Sequence, residues 1–119
     1  MLLGRGAILA VSGLATGGVR VPVWGGTVRV RMLTGGERDA FEVSTLTRKG
    51  KTFETNLVNM RARLVALTAV DENGARLFSE EDVTALAAKS AAALNRVFMA
   101  AQKLNGLTEE AVADAATQF

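Results

Sequence analysis

The sequence predicts an α+β fold in which an N-terminal β-hairpin precedes a mainly helical domain. Three observations point there. Apolar and polar residues alternate at period two over residues 19–32, around a pair of glycines. From residue 56 onward the apolar positions recur instead at three- and four-residue steps. Between the two principal helices, Asp71-Glu72-Asn73-Gly74 supplies the sequence of a short Asn-Gly turn. With 119 residues, 49% hydrophobic and 22% charged, the chain suits one modest core and lies far from the composition of a disordered protein. The expected organisation is a mobile N-terminal arm over 1–18 and a single α+β domain over 19–119.

In the arm, Gly4, Gly6, Gly13, Gly17 and Gly18 interrupt any regular element. Arg5 precedes the apolar run Ala7–Val11, but its five residues fall short of the roughly seven needed for a signal-peptide core and the ~20 of a membrane span. The hairpin follows over 19–32: Val19-Arg20-Val21-Pro22-Val23-Trp24, a Gly25-Gly26 turn, then Thr27-Val28-Arg29-Val30-Arg31-Met32. Pro22 donates no ladder hydrogen bond, which places its strand at an edge or turns that position outward. Val28, Val30 and Met32 share one face; Thr27, Arg29 and Arg31 share the other, read as a solvated face, with contact to an acidic partner as the lesser alternative.

Thr34-Gly35-Gly36-Glu37 has the form of a capping box and opens a helix over about 35–46. The basic stretch Thr47–Thr52 reads as an exposed loop. Leu57, Met60, Leu64 and Leu67 define one face of a helix over about 56–68, with Arg61 and Arg63 projecting away. Short strands flank the Asn-Gly turn, at 68–70 and 76–78. Ser79 caps the longest helix, 80–104, and Glu80, Glu81 and Asp82 set negative charge against its positive end. Its buried stripe comprises Val83, Leu86, Ala87, Ser90, Leu94, Val97, Phe98, Ala101 and Leu104, and Asn105-Gly106 terminates it in a left-handed cap. Thr108 caps a last, thin helix over about 109–117.

The composition removes most catalytic chemistry. There is no cysteine, histidine or tyrosine, hence no thiolate, no imidazole base or metal ligand, and no phenolic acid. The carboxylate clusters Glu80-Glu81-Asp82 and Glu109-Glu110 sit at helix starts, where their dipole role accounts for them. The glycine pairs are followed by no Lys-Ser or Lys-Thr and read as turns, not as a phosphate cradle. A net charge of +2, with 14 basic and 12 acidic residues dispersed along the chain, gives no nucleic-acid footprint. The expectation is a non-enzyme with no cofactor, no metal, no nucleic acid and no membrane partner.

Taken in order, Val21-Pro22-Val23-Trp24-Gly25-Gly26, Val28-Arg29-Val30-Arg31, Leu33-Thr34-Gly35-Gly36-Glu37-Arg38-Asp39-Ala40-Phe41-Glu42 and Asp71-Glu72-Asn73-Gly74-Ala75-Arg76-Leu77-Phe78 resemble the tail assembly chaperones of long-tailed phages. Asn95-Arg96-Val97-Phe98 and Leu104-Asn105-Gly106-Leu107-Thr108-Glu109-Glu110 extend the likeness over nearly the whole chain. The resemblance implies a cytoplasmic protein of the infected host that coats and solubilises the tape measure protein, is absent from the mature virion, and is also made as a longer, frameshifted form that recruits the tail tube protein. It carries no catalytic residues over. Candidate binding residues therefore come from side-chain chemistry: Trp24 at the hairpin, Arg29 and Arg31 beside it, Phe98 and Leu104 on the alanine-rich helix, and Leu107, Val112 and Phe119 in the tail. Alanine-lined surfaces and the apolar tail also suggest self-association. Two other readings compete: a structural virion protein such as a head-tail connector or tail-end component, and a small nucleic-acid-binding regulator.

Overall fold

The computed structural model describes residues 1–10, 14–55 and 58–106. In chain order the elements are α1 (Arg5–Ala10), β1 (Thr16–Val21), β2 (Gly26–Arg31), α2 (Gly35–Ser44), β3 (Leu46–Lys49), β4 (Thr52–Thr55), α3 (Met60–Thr68), β5 (Ala69–Val70), α4 (Val83–Ala87) and α5 (Ala91–Leu104). The N-terminal hairpin β1–β2 gains β5 as a third antiparallel strand, and β3–β4 form a separate two-stranded hairpin. The rest is mainly helical, which is the expected α+β architecture.

Alternation fixes the register of the sheet. Val19 faces Val28, Val21 faces Gly26, and Val30 lies between Gly17 on one side and Ala69 on the other. Val19, Val21 and Val30 are buried on the inner face, where Leu94, Val97, Phe98 and Ala101 of α5 cover them. A one-residue slip would turn this whole apolar set to solvent.

The centre of the molecule is α3. Ala62, Leu64, Val65, Ala66 and Thr68 are all buried, so the helix is enclosed on nearly every side. The Thr68 hydroxyl donates to the Leu64 carbonyl at 2.8 Å, which satisfies the fully buried polar side chain of this helix. The last turn of α3 contains no basic residue of its own. Two arginines from neighbouring segments supply the missing cations: Arg31 Nη2 donates to the Leu67 carbonyl at 2.9 Å, and Arg76 Nε to the Ala66 carbonyl at 3.1 Å. Positive charge at the negative end of a helix is favourable, and here it also joins sheet, helix and loop.

The local signals behave as expected at several points. Thr34 Oγ1 accepts the Glu37 N–H at 3.1 Å while the Glu37 carboxylate accepts the Thr34 N–H at 3.0 Å, the reciprocal cap. Asp71 Oδ1 accepts the N–H groups of Asn73 and Ala75, and Gly74 takes a φ of 82°, so the turn closes through its own side chain. Gly106, at φ 67°, turns the chain out of α5.

Other expectations are corrected. The helix expected over 80–104 is a single 3-10 turn at Glu80–Asp82 followed by two helices, α4 and α5. Ser90, assigned to the buried stripe, is exposed and caps α5 by accepting the Ala93 N–H at 3.3 Å. A serine able to satisfy the backbone outside a helix competes with helix continuation, and the alanines around it offer no such alternative. The basic stretch 47–52 is no open loop: it belongs to the β3–β4 hairpin, with Gly50 at φ 65° in the turn. The helix expected from 56 begins at Met60, and Leu57 lies outside the described residues. Arg63 is half-buried and donates to the Val58 carbonyl, so it does not simply project away. The strand expected at 76–78 reduces to one bridge, Val70 to Arg76. β1 begins at Thr16, inside the segment assigned to the arm, and residues Arg5–Ala10 form a short helix with no buried side chain. The tail helix expected over 109–117 falls outside the described residues.

Candidate protein-binding surface

The hairpin connection is not the two-glycine turn. β1 stops at Val21, Pro22–Trp24 make one 3-10 turn, and Gly25 closes it at φ 77°, donating to the Pro22 carbonyl at 3.0 Å. Pro22 thus stands at the first position of a helical turn, where its missing N–H is harmless. The turn packs against α5; Trp24 is half-buried on the core while Val23 is 70% exposed at the tip.

The other candidates are dispersed. Phe98 is only 4% exposed, with the Arg61 guanidinium 5.4 Å from its ring centroid and Arg61 Nε held by Asn95 Oδ1 at 3.0 Å. It is a core residue under a cationic lid. Leu104 is half-buried against the same core. Arg29 is exposed on the outer face of the sheet and donates to the Glu72 carbonyl at 3.3 Å. Leu107, Val112 and Phe119 lie outside the described residues. The named residues therefore do not converge on one patch.

Arg31 is the clearest departure from its expected solvated position. Its guanidinium grips Glu37 through two bonds of 2.8 and 2.7 Å, with side-chain exposures of only 13% and 30%. The Arg31 hydrogen bonds, opposed by desolvation and aided by the Thr34 N–H, hold the Glu37 carboxyl down at about 2; the same pairing raises Arg31 above its ordinary value. One ion pair thus ties β2 to the first turn of α2 and the last turn of α3. Asn105 makes a parallel tie: its Oδ1 accepts the Leu33 N–H at 2.6 Å, and its Nδ2 donates to the carbonyls of Ala101 and Arg31.

What the sequence reading missed is surface of two kinds. Apolar side chains stand exposed at Leu2, Leu3, Ile8, Leu9, Val43 and Met99, among others. The backbone is also exposed along one side of the sheet. Met32 N–H donates to the Ala15 carbonyl at 2.9 Å, which fixes the parity of the β1–β2 ladder. Gly17, Val19 and Val21 direct their main-chain groups to β2, whereas Thr16, Gly18 and Arg20 direct theirs outward. The opposite edge is covered: the Leu77 N–H donates to the Ala69 carbonyl, and Arg76 bridges Val70. A signal for this asymmetry is legible in composition, because β1, β2 and α5 contain Arg20, Arg29, Arg31, Arg96 and Lys103 but no Asp or Glu.

The concave surfaces are open grooves. One runs between α3 and the junction of α4 with α5, past Met60, Arg61, Ala87, Lys89 and Asn95; another lies among α2, α3 and α4, past Phe41, Leu67 and Val83. Among the described residues no group of three His, Cys, Asp or Glu side chains is placed to hold a metal ion, and no helix is long and apolar enough to cross a membrane.

These features define a small α+β protein whose notable groups are spread over its surface. The model of the phage tail assembly chaperone family matches residues 5–118, and the chain belongs to that family. No curated protein and no solved structure matches it. Its role is in phage tail assembly as a chaperone, a task that implies protein partners.

Proposed function

We propose that this chain binds the tape measure protein, keeps it soluble until the tail tube forms around it, and helps recruit tail tube subunits through a longer, frameshifted form. It acts in the host cytoplasm by binding alone, without catalysis or cofactor, self-associates along its elongated client, and leaves before the virion matures. The observation that carries this reading is the family match over 5–118. The exposed apolar side chains of α1, of the Pro22–Trp24 turn and of α5 support it, since a chaperone of an apolar client needs surface of that kind.

Co-expression with the tape measure protein of the same phage tests the proposal. A soluble complex that co-purifies is the expected result; unchanged solubility of that protein with no complex rejects it. Mass spectrometry of purified virions addresses departure from the particle: this chain is expected to be absent, and its stoichiometric presence would favour a structural virion role.

A further inference from the structure

We propose that the open edge of β1 docks an extended, acidic segment of another protein, which adds as a fourth strand beside Thr16–Val21. This goes beyond the functional reading above, because it concerns how a partner is held and does not depend on which partner it is.

The first support is main-chain geometry. The outward N–H and C=O groups of Thr16 and Gly18, and the outward N–H of Arg20, have no hydrogen-bond partner among the described residues. Only the Arg20 carbonyl is met, by Arg96 Nε at 2.6 Å. Exposed edges are ordinarily covered, bulged, or interrupted by proline, because they template further pairing. Here the proline comes only after the strand, at Pro22, and the covering segment lies on the far side of the sheet. The middle of the edge is Gly17-Gly18. A side chain at Gly17 would meet nothing within 4 Å, and one at Gly18 only Thr27 Cγ2 at 3.4 Å, so room remains on both faces for the side chains of an incoming strand.

The second support is charge. Arg20, Arg29, Arg96 and Lys103 form no ion pair among the described residues; β1, β2 and α5 themselves hold no carboxylate, and Asp71 and Glu72, which line the outer-face groove beyond Arg29, lie on the β5 side of the sheet. A second copy of this chain, laid edge to edge, would bring these same cations together. A strand carrying Asp or Glu does the opposite, and only an extended backbone can satisfy a row of alternating donors and acceptors.

The test uses the full chain and three synthetic peptides: alternating glutamate and valine, alternating lysine and valine, and glutamate with leucine at helical spacing. Titration followed by amide NMR is expected to give saturable binding of the acidic alternating peptide alone, with slowed exchange of the Thr16, Gly18 and Arg20 amides. Gly18→Pro removes an outward N–H without touching the β1–β2 ladder and is expected to weaken binding about tenfold or more. Should that variant melt early, Arg20→Glu, an exposed change, serves in its place with the same expectation. Equal binding of the helical peptide, absence of binding by all three, or indifference to both substitutions overturns the proposal. So does self-association of the free chain that Gly18→Pro abolishes, which would make a second copy the occupant. Failure here, in a chain that still solubilises the tape measure protein, removes the edge site and leaves the functional reading intact.

Discussion

The two edges of the sheet are built by opposite means. At β5 the chain turns through Asp71-Glu72-Asn73-Gly74 and lays residues 75–77 back over the strand, so its main-chain groups are met within the molecule. At β1 nothing among the described residues returns, and one arginine side chain meets one carbonyl. The closed side is also where the structure concentrates its cross-links: Arg31 and Arg76 on the end of α3, and Glu37 on Arg31. Cross-links and satisfied main-chain groups sit on one side of the sheet and unsatisfied bonding capacity on the other, the division that the proposed docking of a strand at β1 requires.

Substitutions separate the two sides by size of effect. Leu64→Ala, at the fully buried centre of α3, is expected to destabilise the whole fold by about 3 kcal/mol, measured by urea unfolding. Glu37→Ala leaves the Arg31 guanidinium partly buried without its carboxylate and is expected to remove about 2–3 kcal/mol. The same pair sets an acid limit. Because the folded carboxyl titrates at about 2 against an ordinary 4.5, its stabilisation is fully present above about 4.5 and is lost as the pH falls toward 2. Glu37→Gln is expected to flatten that portion of a stability-versus-pH curve; an unchanged acid slope would mean that other carboxylates set it.

Smaller effects probe the edges themselves. Asp71→Ala removes the acceptor for two backbone N–H groups and is expected to cost about 1 kcal/mol, with faster amide exchange at Asn73, Ala75 and Leu77 but not in β1. Gly18→Pro is expected to change stability by less than about 1 kcal/mol, since it replaces an outward N–H on the open edge. Gly17→Pro, one residue away, breaks a ladder bond to Val30 and is expected to be distinctly worse in a thermal melt. If the two prolines behaved alike, the assigned parity of the edge would be wrong.

Which of these features the sequence reveals follows from their range. The Thr34–Glu37 cap and the Asp71–Gly74 turn are closed by residues a few positions apart, so spacing alone specifies them. The valine alternation of β2 locates the hairpin because half of it must be buried. The break at Ser90 is invisible to periodicity, since Leu86, Leu94, Val97, Phe98 and Ala101 stay in phase with a single long helix. β1 is partly hidden because glycine marks no face, and the β3–β4 hairpin because its strands are mostly polar. Arg31 follows the outward period of its strand, but its length carries the guanidinium back to the Leu67 carbonyl, a partner set by tertiary packing. Side-chain chemistry alone points to Trp24 and Arg29 at the hairpin, while the outward backbone of β1 beside them has no letter in the sequence.

The Asn105 carboxamide has a mechanical consequence. By bonding the Leu33 N–H and the carbonyls of Arg31 and Ala101, it anchors the end of α5 at the junction between β2 and α2. Whatever is attached beyond Gly106 therefore starts from a fixed origin. Tension on that attachment would reach β2 at the Arg31 carbonyl, beside the Arg31–Glu37 clasp and one strand removed from the edge of β1. A pull applied there would load the clasp first, with the proposed docking edge a strand away.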